Sequence, residues 1–461
     1  MQAPFDIAAD LDTPVSAYLK LRDLKPRFLL ESVEGGERLA RYSFLGFGDA
    51  LEVRLDGQKL SIGDEIFEYP QNQTDYLNLL RKALAAAPRL KPLVEGLPFS
   101  GGLVGVSGYD VARLFERLPR KTTRQAGIPE AAFIAPSSTL VFDHLTRRVA
   151  LLHDGPAAER ESLRKEVIKL LRGAIPSNGN TISTSPAVGS MTDTHFAERV
   201  EACKEYIAAG DIYQIVLSVL FRGESNVPPF EVYRALRLLN PSPYMFFLEF
   251  GDLKVVGSSP EALVKLNGRT ASLRPIAGTV ARGRTAEEDR NNEISLLGDP
   301  KESAEHVMLV DLARNDLGRV AVAGSVQVDP YRAIERYSHV MHIVSGVQGE
   351  LAPEYDAFDL FAASFPAGTL VGAPKVRAME IIEEMEDVGR GLYAGTAGYY
   401  GNGGDMDQAI TIRTLVFNGN EYSYQAGAGL VADSVPEREF QEVLDKSAIL
   451  RRALEIAGEG L

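Results

Sequence analysis

The sequence predicts an α+β fold, on two kinds of pattern and their order. Asp56-Gly57, Asn267-Gly268 and Asn418-Gly419 each stand between alternating apolar runs, the signal for a tight antiparallel hairpin. Stretches such as YLNLLRKALAAA and HFAERVEACKEYIAAG instead repeat their apolar residues at helical spacing. Hairpins mixed with helices point to α+β rather than a parallel doubly wound sheet.

In chain order, LEVRLDGQKLSI is read as a hairpin and YLNLLRKALAAA as a helix. Residues 176–192 are rich in Ser, Thr, Gly, Asn and Pro without an apolar period, which predicts a linker between an N-terminal part, 1–175, and a C-terminal part, 193–461. HFAERVEACKEYIAAG is a helix closed by Gly210, and ALVKLNGRTASLRPI a hairpin. KESAEHVMLVDLAR is a helix on which Glu302 and Glu305, three apart, share a face. TIRTLVFNGNEYSYQAGAG is a hairpin in which the Gly-rich QAGAG follows the second strand. Pro436 opens a last helix with Phe440, Val443, Leu444, Leu450 and Leu454 on its inner stripe, expected to stop at Gly458. Glu439 and Glu442 flank that stripe.

The 461 residues can bury a large core, and a 45% hydrophobic, 24% charged composition is that of an ordinary globular protein. No apolar run reaches the roughly 20 residues of a membrane span, and the first residues carry neither the basic nor the apolar part of a secretory leader. A single cysteine, Cys203, excludes an intrachain disulfide and fits a reducing cytoplasm. A net charge of −14 argues against nucleic acid or an anionic membrane as the main partner. An anionic substrate would therefore need a local cationic island.

Paired glutamates without Cys or His suit a hard cation such as Mg²⁺, which takes one or two carboxylates and keeps several waters. Gly398, Gly401, Gly403 and Gly404 form no phosphate loop, since no Lys-Ser/Thr follows. The glycines of QAGAG allow backbone N–H groups to approach a ligand closely. Arg413 stands among apolar neighbours in AITIRTLVF, where a guanidinium calls for an anionic partner; a substrate carboxylate or a structural ion pair would serve.

The run from Arg274 to Leu317, RPIAGTVARGRTAEEDRNNEISLLGDPKESAEHVMLVDLARNDL, together with GTLVGAPKVRAMEIIEE and QAGAGLVADSVPEREFQE, resembles the chorismate-utilising enzymes, and within them the anthranilate synthase large subunits. The resemblance covers most of residues 193–452. It implies antiparallel sheets packed face to face with helices outside. It also implies Glu305 and Glu442 as direct Mg²⁺ ligands, with Glu302 and Glu439 in the outer shell. Gly278, Thr279, Tyr393, Arg413, Gly427, Ala428 and Gly429 match chorismate-contacting positions. Glu261 matches a general acid for the C4 hydroxyl, and His342 a position tied to pyruvate elimination. Gln214 stands where relatives that add water carry a Lys, so ammonia is the expected nucleophile. Ala277 stands where many aminodeoxychorismate synthases carry a covalent Lys, which favours anthranilate as product.

FLLESVEGG and NPSPYMFF resemble the family's regulatory motifs, implying a tryptophan site of Glu31, Ser32, Asn240, Pro243, Tyr244 and Met245. The N-terminal part is then regulatory and the C-terminal part catalytic. No glutaminase nucleophile is evident, so a separate glutamine amidotransferase subunit is the expected ammonia source. Two other readings stay open on the sequence: an aminodeoxychorismate synthase subunit, and a non-catalytic amino-acid-binding regulator.

Overall fold

The computed structural model describes residues 4–33, 41–176, 182–336 and 340–461. Its frame is a large, antiparallel strand network to which both halves of the chain contribute. The long strands Tyr42–Leu55 and Ala131–Asp143 pair along almost their whole length and join the neighbours on either side. Pro26–Glu31 pairs with Tyr244–Phe250, and Gly102–Ser107 with Thr396–Gly401, so a block of N-terminal strands is joined to C-terminal strands at two places in the network. A smaller sheet joins Ile276–Ala281, Val340–Val344 and Ala333–Arg336.

Strand alternation fills two separate cores. Along Tyr244–Phe250, Phe246, Leu248 and Phe250 turn into one, where they meet Val104, Val106, Ala397 and Tyr399 from strands that are not their neighbours. That core lies between two opposed parts of the network, with the Phe99 ring 4.9 Å from Tyr399 and 5.5 Å from Phe44. Met245 and Phe247 face the other way, into the core that also takes Val443, Leu450 and Leu454 of the last helix. The α+β class and face-to-face packing are as the sequence and its resemblance imply.

The three hairpins form where the turn pairs stand, with Leu55↔Leu60, Asn267↔Thr270 and Asn418↔Glu421 in register. Thr192 caps the helix Asp193–Ala208, and Gly210 follows it at a φ of 82°. Two boundaries differ from expectation. The last helix runs Pro436–Glu459, one residue past Gly458, and the left-handed place falls to Gly460 at φ 97°. QAGAG does not follow its strand but lies inside it: Glu421–Leu430 continues through the glycines because Gln214–Glu224 pairs with it along its length. Of the 176–192 connection, 177–181 lie outside the described residues. Beyond them, Val188–Gly189 pairs with Phe221 and Arg222 as a short edge strand.

Candidate active site

A cavity of about 570 Å³ opens where four structures meet: the strand Gln214–Glu224, its partner Glu421–Leu430, the helix Pro300–Gly318 and the last helix. Its wall includes Gln214, Glu261, Gly278, Thr279, Tyr393, Arg413, Gly427, Gly429, Glu302, Glu305, Glu439 and Glu442. Of the residues assigned to catalysis, substrate or metal, His342 and Ala428 are outside that wall. Ala428 alternates between two lining glycines, so its methyl points back into the core. His342 stands directly behind the wall, its Nδ1 3.1 Å from the Gly278 carbonyl and 3.0 Å from Thr279 Oγ1. The carbonyl can only accept, so Nδ1 carries the proton and Nε2 is left as the basic nitrogen. Burial, and then the charge of Arg413, holds this imidazole below its usual pKa despite the bond to Gly278, which opposes the shift.

Glu261 immediately precedes the strand Ala262–Asn267. Its half-buried carboxyl accepts a hydrogen bond from Thr369 Oγ1 at 3.0 Å. Desolvation pushes its pKa up to about 7, against the opposing effects of Thr369 and the charge of Lys446. A carboxylic acid that keeps its proton near neutrality is what a general acid requires.

Glycines set the close approaches. Gly278 sits at φ 68° where the pairing slips between Ala277 and Thr279, and a Cβ there would lie 3.0 Å from Glu302 Oε2. At Gly427 a Cβ would lie 2.8 Å from the Tyr393 hydroxyl, and at Gly429 2.9 Å from Gln214 Nε2. Small size inside a regular strand, rather than a turn, is therefore what brings this backbone to the cavity.

The four glutamates come as two pairs on two helices. Asp299 caps the first helix by accepting from the N–H groups of Lys301 and Glu302. Burial, then the nearby charges of Glu305 and Asp299, raises the Glu302 pKa. On the last helix Lys446 Nζ lies 2.6 Å from Glu442 and donates to the Gly427 carbonyl at 3.0 Å. Carboxylates crowded in one cavity, one with its charge already disfavoured, fit a hard divalent cation. Among the described residues no three acidic or imidazole side chains converge as a ready-made cage. The donor set thus leaves room for water or substrate oxygens in the coordination shell.

A second cavity, of about 310 Å³, includes Glu31, Ser32, Pro243, Tyr244 and Met245 in its lining. The two motifs, some 200 residues apart in sequence, meet because Met245 is paired with Glu31 in adjacent strands. Asn240 is outside this lining; its amide donates to Ser258 Oγ at 2.9 Å and fixes the turn that leads to Pro243. The Glu31 carboxylate accepts from Tyr233 at 2.5 Å and from both faces of the Arg237 fork at 3.1 and 3.2 Å.

The family model described as chorismate binding enzyme matches residues 25–452. The chain belongs to that family. Anthranilate synthase component 1 of Aquifex aeolicus is 45% identical, over 98% of this chain and 94% of its own. The Thermus thermophilus protein of the same name is 44% identical, over 98% and 97%. The crystal structure of anthranilate synthase component I from Streptococcus pneumoniae superposes with a TM-score of 0.81 at 34% identity, covering 98% of this chain and 100% of that one. The family match spans both cavities.

Sequence reasoning missed several of the lining residues. Lys301 and Lys446 also line the larger cavity and, with Arg413, supply a cationic island within a chain of net charge −14. Lys446 stands four residues after Glu442 on the same helix face, a spacing that could have revealed it. Thr369, the partner of Glu261, lies 108 positions away and has no local signal. Arg41, Lys265 and Asp407 in the second cavity were likewise not legible.

Proposed function

We propose that this chain is the chorismate-binding component of an anthranilate synthase, converting chorismate and ammonia to anthranilate and pyruvate. The observation that carries the reading is the convergence of Glu261, Arg413 and both glutamate pairs on one cavity. Arg413 and the backbone at Gly427–Gly429 would hold the substrate carboxylates, with Lys301 and Lys446 offsetting their charge. Mg²⁺, held by Glu305 and Glu442 with Glu302 and Glu439 behind them, would neutralise carboxylate charge when bound. Glu261 gives its proton to the C4 hydroxyl, which leaves as water while ammonia adds at C2. The proton that the added nitrogen sheds restores the balance. In the next stage the C2 ring proton is lost and the enolpyruvyl group departs, taking up a proton to become pyruvate; His342, just behind the Gly278–Thr279 stretch of wall, is the residue assigned to it, and aromatisation drives the stage. Gln214, an amide, cannot deprotonate water, which favours ammonia over hydration.

The finer parts of the reading rest on the same assignment. A separate glutamine amidotransferase subunit supplies ammonia, and tryptophan binds in the 310 Å³ cavity as a feedback inhibitor. No helix among the described residues is long and apolar enough to cross a membrane, and we place the enzyme in the cytoplasm. The direct test is the purified chain with chorismate, Mg²⁺ and ammonium at alkaline pH, followed by anthranilate fluorescence. Anthranilate is expected with ammonium and not with glutamine alone. Formation of a non-fluorescent aminated product, or no turnover, would overturn the assignment.

A further inference from the structure

Behind the larger cavity, and outside its lining, lies a fully buried ion pair, Arg390–Glu386, with Arg390 only 1% exposed. The guanidinium donates to the carboxylate in two-pronged fashion, Nε at 3.0 Å and Nη2 at 2.7 Å. Its remaining donors leave the pair: Nη1 reaches the Leu370 carbonyl and Nη2 the Val216 carbonyl, each at 2.7 Å. Its Cζ lies 4.9 Å from the Tyr109 ring centroid and 5.7 Å from that of Tyr393, and its own carbonyl accepts from the Tyr393 N–H. Glu386 in turn accepts from the Ser218 N–H at 2.9 Å and hydroxyl at 2.7 Å, while Gln425 donates to that hydroxyl at 2.8 Å.

The groups tied together are separate stretches of the cavity wall. Val216, Leu370, Tyr393 and Gln425 all line it. Val216 is two residues from Gln214, and Leu370 follows Thr369, the residue that holds Glu261. Gln425 begins the strand segment that continues to Gly427 and Gly429. One guanidinium thus addresses two carbonyls and an aromatic ring on three stretches of wall, and through Glu386 and the Ser218 hydroxyl it reaches Gln425 on a fourth. A lysine, a single point charge on a flexible stem, could not reproduce that fork. Stability alone does not call for such a pair, since buried ion pairs can often be replaced by apolar side chains without loss.

We propose that Arg390 and Glu386 are positioning residues for catalysis: the pair fixes the wall segments bearing Gln214, Thr369 with Glu261, and Tyr393 in one arrangement. This rests on the proposed function above. Arg390→Lys is expected to fold and to bind chorismate with a KM within about threefold of the parent. Its kcat per folded molecule should fall by about 100-fold, the usual scale for an ångström of misplacement. The fall of activity with rising pH should also move, because Thr369 no longer holds Glu261 in place. A role in folding alone would lower the yield and Tm without changing kcat per folded molecule or the pH profile. Should Arg390→Lys not fold, the charge-free double variant Arg390→Met, Glu386→Leu gives the same readouts. Parent-like kcat and pH profile in whichever of these folds would overturn the positioning role alone. A parent chain inactive towards chorismate and ammonium would overturn the proposed function, and this inference with it.

Discussion

A carboxylic acid that titrates near neutrality has two measurable consequences, and both apply to Glu261. Its folded pKa of about 7 lies above the ordinary 4.5, so between those values the folded chain binds more protons than the unfolded one. Stability contributed by this group is present at low pH and is lost as pH rises from about 4.5 to about 7. Glu261→Gln should therefore be more heat-stable than the parent at pH 8 and no different at pH 4. The gain should be of the order of 1–2 kcal/mol, less than the full shift implies because the carboxyl is partly exposed. The same substitution should lower kcat by about 10²–10⁴-fold. In the parent, kcat/KM should decline above pH 7 once free ammonia, not total ammonium, is held constant. A profile that stays flat to pH 9 would remove Glu261 from the acid role. At Gly278 the expected defect is different. An added methyl meets Glu302 Oε2 and a left-handed backbone, so Gly278→Ala should raise the Mg²⁺ needed for half-maximal activity by about tenfold or more. An unchanged Mg²⁺ dependence would separate Glu302 from the metal. These two positions were legible only through the resemblance to a known family, since neither local pattern by itself assigns a role. Lys301 and Thr369 were not, since a cation beside a glutamate reads equally well as a surface pair and a partner 108 residues away leaves no local trace.

Single helices carry the paired carboxylates, and each helix tests its own half of the cavity. Glu442→Gln should leave the fold intact, because Glu442 is exposed and its pair with Lys446 adds little to stability. If Glu442 is a metal ligand, turnover should drop at least 100-fold and saturating Mg²⁺ should not restore it. Near-parent activity at high Mg²⁺ would sink that role. Hairpins and helix starts could be read from the sequence because their signals are local: a turn pair between alternating runs, or a capping residue ahead of an apolar stripe. QAGAG was misjudged as following its strand for the opposite reason. What keeps Gly427 and Gly429 extended is the register with Ser218 and Val216, a pairing more than 200 residues distant that no window along the chain contains.

Across the whole molecule, strands from the two halves of the chain are joined, and that is what makes the second cavity. Glu31 and Ser32 reach Tyr244 and Met245 only because Pro26–Glu31 is hydrogen-bonded beside Tyr244–Phe250. Ser32→Ala should weaken tryptophan inhibition by tenfold or more while leaving uninhibited turnover at the parent level; equal inhibition of the two proteins would mean that tryptophan binds elsewhere. This joining has a further outcome for any attempt to dissect the enzyme. A fragment beginning at residue 193 would lose one of the two neighbours of Tyr244–Phe250 and one of Thr396–Gly401, baring two rows of unpaired N–H and C=O groups flanked by Phe246, Phe247 and Tyr400. Such raw borders recruit other chains, so the shortened protein should precipitate instead of forming a minimal enzyme. Supplying residues 1–175 as a separate polypeptide would mend those borders, and the two pieces should recover solubility and turnover together or not at all.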